Sequence, residues 1–557
     1  MRPSEFPPPW SDEEAFAAPS DTDPIEVGVL VVGAGPAGLA AAIRLGRLVA
    51  EEPETAGRLG EVPVAVLEKG KAPGSHLLSG AVIDPAPLNR LLEGIRSPAD
   101  VPSYGPVPGE AVLYLTHGRS VRLPIPPTMR NHGNVIVSVS QLGRFLGEVA
   151  EEAGVAILPE TSGAKLLVEN GRVVGVRTGD KGRGREGEEL GRFEPGADVR
   201  AKVTILAEGT QGHLTGAALG RFGLAGANPQ TWALGVKEVW KVPRPLRRVI
   251  HTMGWPLRPA ARYREFGGSF VYPMGEEMVT IGLVVGLDYR DAALSVHDLL
   301  QELKTHRTFR PILAGGERVA WGAKTIPEGG LVALPRRFHA PGLLLAGDGV
   351  GLVNVPALKG IQYAVESGRL AAEAAWRSLA GDTEDALESY DAALRDSFVW
   401  RDLRAVRNMR QAFGAGFWRG GALAGIATVT KGRLPAGDRP TESDSEQELF
   451  TTDRAATYPA ADGALTFDKL SSVFLSGNRT RDDQPSHIRI AERVPAELGE
   501  LWARMCPAQV YETEPAADGL VTVKVTPSNC VQCGAITAKG GRLTPPEGGS
   551  GPEYALT

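Results

Sequence analysis

Residues 27–46 read VGVLVVGAGPAGLAAAIRLG, and this stretch limits the folds open to the chain more than any other. The apolar run 27–32 predicts a buried parallel strand. A turn follows at Gly33-Ala34-Gly35-Pro36-Ala37-Gly38, and the Ala/Leu-rich residues after it suit a helix. Each glycine has a physical reason. Gly33 permits the tight turn, Gly35 lets a pyrophosphate approach the backbone, and Gly38 lets the helix pack on the strand. The phosphates would sit at the helix N-terminus, where free N–H groups and the helix dipole favour anions. A G-x-G-x-x-G string is weak alone, but here it follows a strand and opens a helix.

The chain has 557 residues, enough for a large core and two or three structural units. Its 60 Lys and Arg against 66 Asp and Glu leave a net charge of −6, so no bulk basicity points to nucleic acid. The longest uncharged run, 27–43, is broken by Gly and Pro and does not read as a membrane span. Residues 1–24 are Pro-rich and acidic. They lack the basic start and apolar stretch of a secretory signal and predict a loose arm. The three cysteines, Cys506, Cys530 and Cys533, all fall near the end. An odd count does not suggest a secreted disulfide framework. Two of them form C-x-x-C, which on these residues alone suits either ordinary reduced thiols or metal or cluster ligation.

A second strand is predicted over 62–67, ending at Glu68. In a dinucleotide fold an acidic residue there accepts hydrogen bonds from a ribose. The polar insertion EEPETAGRLGE accounts for its extra distance from the glycines. Residues 100–130 are rich in proline and predict irregular structure, and 135–139 a strand. Helical periodicity covers 141–153, with Gly154 as C-cap, and 156–177 reads as strands joined at Asn170-Gly171. The charged, Gly-rich stretch 179–194 predicts a mobile loop. Further strands are expected at 203–209, across 231–287 and at 342–347, and helices at 296–306, 360–379 and 383–409. The apolar stretch 413–430 carries Phe417 and Trp418, with Lys431 and Arg433 close behind. It is too short to span a membrane and suits a membrane interface, with a buried turn between domains as the other reading. A polar linker, 435–448, leads to the cysteine-bearing end.

Several stretches together carry a resemblance: HLLSGAVID (76–84), NHGN (131–134), KVTILAEGTQGHL (202–214), LGVKEVW (234–240), GWPL (254–257), GGSFVY (267–272), NVPALKG (354–360), SGNRTRDDQPSHI (476–488), CPAQVYE (506–512), NCVQC (529–533) and PPEGGSGPEY (545–554). In this order they resemble the electron-transfer flavoprotein–ubiquinone oxidoreductase family from about residue 25 onward. The resemblance implies a mixed α/β fold: a Rossmann-like FAD-binding domain (25–225 and 335–395), an interleaved antiparallel-sheet quinone-binding domain (226–334), a membrane-contact segment (396–434) and a small ferredoxin-like iron–sulfur domain (435–557). It implies FAD held by Gly33, Gly35, Gly38 and Glu68, with Ser79, Gly80, Glu208, Gly209, Asp348 and Asn354 lining the flavin site. Gly267 and Gly268 fall where the quinone pocket is expected, and Cys506, Cys530 and Cys533 match ligands of a [4Fe–4S] cluster. The implied partners are electron-transfer flavoprotein, membrane quinone (ubiquinone or menaquinone) and lipid, with no nucleic acid. The implied location is peripheral, on the cytoplasmic face of the inner or plasma membrane.

One departure stands out. The family pattern is C-x-x-C-x-x-C plus the earlier Cys-Pro, and here the last position of that run is Ile536. A [4Fe–4S] cluster held only by protein takes four thiolates. The sequence leaves open a three-cysteine cluster with another fourth ligand, a [3Fe–4S] cluster, loss of the cluster, or zinc on three thiolates. Other functions compatible with the FAD domain are a reductase or hydroxylase without a working cluster and a non-catalytic docking subunit. No catalytic residue is assigned. His132 and His213 suit either proton relays or structural hydrogen bonding, and the backbone at 354–360 is a candidate donor cluster beside the flavin.

Overall fold

The computed structural model describes residues 1–20, 23–381, 385–434, 437–516 and 519–557. Its first layer is a nine-stranded sheet. At its centre Ile25–Val32, Asp198–Leu206, Val64–Leu67, Ala156–Leu158 and Leu343–Leu345 run parallel. The long strand Asp198–Leu206 serves two neighbours on one side. Its first half pairs with Arg172–Thr178 and its last three residues with Leu343–Leu345. The central strands are buried on both faces, which is why 27–32 lacks alternation.

The helix Pro36–Glu51 returns across this sheet and packs against Val139–Glu152 and Ile361–Gly381. Gly33 sits at φ 104°, a left-handed turn that a Cβ would strain. A Cβ on Gly38 would collide with the carbonyl oxygen of Gly33, so glycine there sets how closely helix meets strand.

The second layer is a seven-stranded sheet in the order Glu317–Pro327, Trp232–Lys241, Met278–Gly286, Gly267–Met274, Val249–Gly254, Glu110–Leu115, Ser120–Leu123. All neighbours are antiparallel except Val249–Gly254 with Glu110–Leu115. The last two strands correct the expectation of irregular structure over 100–130: the prolines lie outside the hairpin, and the strands form by pairing with a sheet more than a hundred residues downstream. The stretch 179–194 also differs from expectation. Lys181–Arg183 and Glu189–Glu194 pair as a hairpin, and Glu547 accepts from Gly182 N (3.0 Å).

The Trp232–Lys241 strand shows the period of two plainly. Val236, Glu238 and Trp240 face a core covered by the helix Val296–Thr305. Glu238 is fully buried there between Lys304 Nζ (2.8 Å) and Arg318 Nη1 (3.3 Å). Lys237 points the other way, toward the first layer.

The C-terminal unit has a three-stranded sheet, Arg493–Pro495, Leu520–Val525 and Tyr511–Pro515, behind the helix Ala496–Met505. Its buried residues Trp502, Cys506, Cys530 and Ile536 belong to the same hydrophobic core as Trp240 and Trp321 of the seven-stranded sheet. Of the described part of the loose arm expected over 1–24, residues 1–6 pack against the C-terminal segment, with Leu449 N donating to the Met1 carbonyl (2.9 Å), and 16–20 lie against the first sheet. Phe16–Ala17 pairs with Gly163–Glu169, and Ser20 N donates to Asp198 (2.7 Å).

Among the described residues no helix is long and apolar enough to cross a membrane. The stretch 413–430 forms the helix Phe417–Val429, with Trp418 74% and Val429 84% exposed. Phe417 and Trp418 touch Tyr114 at the edge of the seven-stranded sheet.

Candidate functional site

The parallel strands end together at their carboxyl edge, where ligands bind in open α/β sheets. An elongated cavity of about 340 Å³ opens there. Gly33, Gly35, Glu68, Ser79, Gly80, Glu208, Gly209 and Asp348 all line it. They are spread over more than three hundred residues of sequence and are brought together by the sheet.

The cavity has the features of a nucleotide cradle. Gly35 caps the helix Pro36–Glu51 and no side chain occupies its N-terminus. A Cβ on Gly209 would meet nothing within 4 Å. Glu68 accepts from Ala34 N (3.0 Å) and Gly70 N (2.6 Å), and burial pushes its carboxyl up against those bonds. Burial also raises the Asp348 carboxyl to about 6. Glu208 acts on its own loop: its carboxylate accepts from Leu214 N (3.1 Å) and Thr215 N (2.7 Å), capping the helix His213–Arg221.

Four of the expected residues lie off the cavity wall, the first being Gly38, which sits at the helix–strand contact against the Gly33 carbonyl. The Asn354 side chain accepts from Ala357 N (3.1 Å) and donates to Tyr363 (3.3 Å), holding the loop 354–360. Gly267 and Gly268 open the strand whose later residues, Phe270 and Tyr272, do face the cavity. Of the histidines, His132 is exposed in a turn. His213 bonds the Ala164 carbonyl (3.2 Å), and burial takes it down to about 3.

The seven-stranded sheet and the loop 354–360 bring to the cavity several groups that sequence reasoning missed. Lys237 donates to the Ser79 carbonyl (2.6 Å), and burial lowers its ammonium to about 7. Lys359 bonds Asn131 (2.7 Å) and is lowered by burial to about 8. Tyr272 pairs with His251 (2.7 Å). The available signal was LGVKEVW itself: adjacent Lys and Glu in a strand bury on opposite faces, so each needs a purpose or a partner.

A second, smaller cavity lies in the C-terminal unit. Cys506, Cys530, Cys533 and Ile536 line it, with Met505, Tyr511 and Leu543. Burial raises all three thiols. Val510 N and Gln532 N donate to the sulfurs of Cys506 and Cys530, each at 3.4 Å. Among the described residues no three His, Cys, Asp or Glu converge closely enough for one metal ion. The three thiols share the lining of this one small cavity, a donor set that suits an iron–sulfur centre in which each thiolate binds its own iron.

The two cavities share a wall. Gln532 and Gly534 line the large one, while Cys530, Cys533 and the same Gly534 line the small one. Thr325 of the seven-stranded sheet holds this loop through N and Oγ1 to the Cys533 carbonyl, both 2.8 Å.

A nucleotide cradle at a parallel-sheet edge, roofed by an antiparallel sheet, defines the fold class of flavin-dependent enzymes. The chain shares this fold with a geranylgeranyl bacteriochlorophyll reductase-like protein of Thermoplasma acidophilum (TM-score 0.53, 20% identity, 77% of this chain and 94% of that one). It also shares it with a flavin-dependent brominase (TM-score 0.51, 17% identity, 73% and 94%). Residues 232–326 match the family model for the ubiquinone-binding part of ETF-QO, and 463–555 match that for electron transfer flavoprotein-ubiquinone oxidoreductase, 4Fe-4S. The chain is 38% identical to the mitochondrial electron transfer flavoprotein-ubiquinone oxidoreductase of Arabidopsis thaliana, over 96% of this chain and 84% of that protein. It is also 38% identical to the Pseudomonas aeruginosa protein of the same name, over 95% and 98%. The chain belongs to the electron transfer flavoprotein-ubiquinone oxidoreductase family.

Proposed function

We propose that this chain takes electrons from reduced electron-transfer flavoprotein and passes them to a membrane quinone, using FAD in the large cavity and an iron–sulfur centre in the small one. The shared wall carries this reading: one loop, 530–534, borders both cavities, so groups bound in them are separated by little more than backbone. FAD supplies one- and two-electron chemistry and the cluster one-electron transfer, which joins a one-electron donor to a two-electron acceptor.

The chain's own residues bind and position. The N–H groups opening the helix Pro36–Glu51 receive the pyrophosphate, and Gly33, Gly35 and Gly38 permit the approach. Glu68 and Asp348 accept hydroxyl hydrogens of the ribose and ribityl chain, and Ser79, Gly80, Glu208 and Gly209 shape the wall. Asn354 holds the loop 354–360 at the edge of the flavin site. Lys237 would bring its ammonium to the cavity wall beside Ser79. Cys506, Cys530 and Cys533 hold the cluster.

The quinone enters between the two layers at Gly267 and Gly268, with Phe270 and Tyr272 behind. The quinone-binding unit is 226–334 with the hairpin 110–123 added. Lipid contact is peripheral, on the cytoplasmic face, through Trp418, Ile426, Val429 and neighbouring Val121, with Arg419, Lys431 and Arg433 at headgroup level. The test is reoxidation of anaerobically reduced electron-transfer flavoprotein by the purified chain. Reoxidation should require a quinone analogue. A flavin-loaded protein that leaves the reduced carrier untouched would refute the proposal.

A further inference from the structure

We infer that the cluster of this chain is a three-iron centre, [3Fe–4S], with Ile536 closing the corner where a fourth iron would sit. This rests on the iron–sulfur reading above and departs from the four-iron type that the matched family model names.

The donor set is the first ground. The small cavity is lined by Met505, Cys506, Ala508, Val510, Tyr511, Cys530, Val531, Cys533, Gly534, Ala535, Ile536 and Leu543, and only three of these are thiols. A four-iron cube held by protein takes four thiolates. A cube lacking one iron takes three, and its open corner is bounded by sulfides that need no protein donor.

The second ground is the wall at that corner. Ile536 is 3% exposed and lies in the short helix Ala535–Ala538, one turn beyond Cys533. It packs against Gly541, where a Cβ would press on its Cγ1 at 2.6 Å. A fourth iron there would carry water or hydroxide as its outer ligand. That polar ligand would be buried against an aliphatic side chain with no hydrogen-bond partner, which is unfavourable.

The charge distribution agrees. Lysines lie within electrostatic reach of all three thiols: Lys469 of Cys506, Lys69 of Cys530, and Lys324 of both Cys533 and Cys530. Lys469 is fixed by the carbonyls of Ala503 and Arg504, both 3.0 Å, and Lys324 by that of Gln532 (3.1 Å).

The experiment uses the full chain purified without oxygen. Iron and acid-labile sulfide should come out at three and four per chain. The oxidised protein should give a nearly isotropic paramagnetic resonance signal just above the free-electron value, lost on reduction with dithionite. Ferrous iron with dithionite should add no iron to the wild type. Ile536→Cys treated alike should take up a fourth iron and move the signal to the reduced state. Ile536→Ala controls for packing and should remain at three. Four irons in the untreated wild type, or uptake of a fourth on treatment, overturns the inference and leaves the iron–sulfur reading standing. Absence of iron and sulfide overturns both.

Discussion

Lys237 offers a quantitative test of the architecture, because a buried ammonium with one protein acceptor is costly until something anionic arrives. Among the described residues its nitrogen bonds the Ser79 carbonyl alone, and burial takes its pKa from 10.5 to about 7. That difference corresponds to roughly 5 kcal/mol of folding free energy. Below pH 7 the lysine is protonated in both folded and unfolded chains, so the folded state bears the whole cost. Between pH 7 and 10.5 the unfolded chain holds the extra proton, and stability rises with pH. Above 10.5 the cost is gone.

Lys237→Met keeps the length of the side chain and removes the charge. The flavin-free variant should be more stable at pH 6 by nearly the full amount. Unfolding entropy of about 2.1 cal/mol/K per residue, over the whole chain, converts this to about 4 °C in the unfolding midpoint. At pH 9 the gap should shrink to about 2 °C, since most of the wild-type cost has by then been relieved. Calorimetric scans of both flavin-free proteins at the two pH values measure this directly. Equal gaps at pH 6 and 9, or a variant less stable at pH 6, would refute the claim that Lys237 is a penalised cation facing the cavity.

Two further expectations follow from the surface and the N-terminus. Trp418→Asp with Val429→Asp should release the protein from anionic phospholipid vesicles in a flotation assay while leaving bound flavin unchanged, since both side chains are exposed on one helix; retained binding would mean that helix is not the anchor. Asp198→Asn should loosen residues 1–20, because Asp198 accepts from Ser20 N and is held at about 2 by Arg177. The lowered pKa stabilises the wild type fully above pH 3.8, by roughly 2 kcal/mol, and that contribution fades as pH falls through about 2; at pH 7 limited proteolysis should cut the N-terminus faster in the variant.

What the sequence made legible was whatever local chemistry enforces. The strand, turn and helix at 25–51 follow from sterics at Gly33 and Gly38 and needed no tertiary knowledge. Glu68 was recognisable because an insertion could be counted. The hairpin Glu110–Leu123 was not, because its partner strand lies at Val249–Gly254 and prolines flank it. The hairpin at 181–194 looked mobile because its charges find distant partners, among them Glu547. That the Asn354 side chain braces its own loop was not legible either, because the bond to Ala357 N depends on the loop's conformation. Lys237 and Tyr272 were passed over because alternation in a strand does not say what the second layer will face. The thiol cavity was legible in its three cysteines, and Ile536 in its oddity. The sharing of one loop by both cavities is a property of packing alone.

The common core of the seven-stranded sheet and the C-terminal unit bears on how the molecule is made. Trp321 and Trp240 are covered in part by residues synthesised some two hundred positions later. On the ribosome, the sheet would wait with one greasy side uncovered until that final segment emerged. Interruption of synthesis in between would leave a sticky intermediate, and a chaperone that shields it would act at that stage.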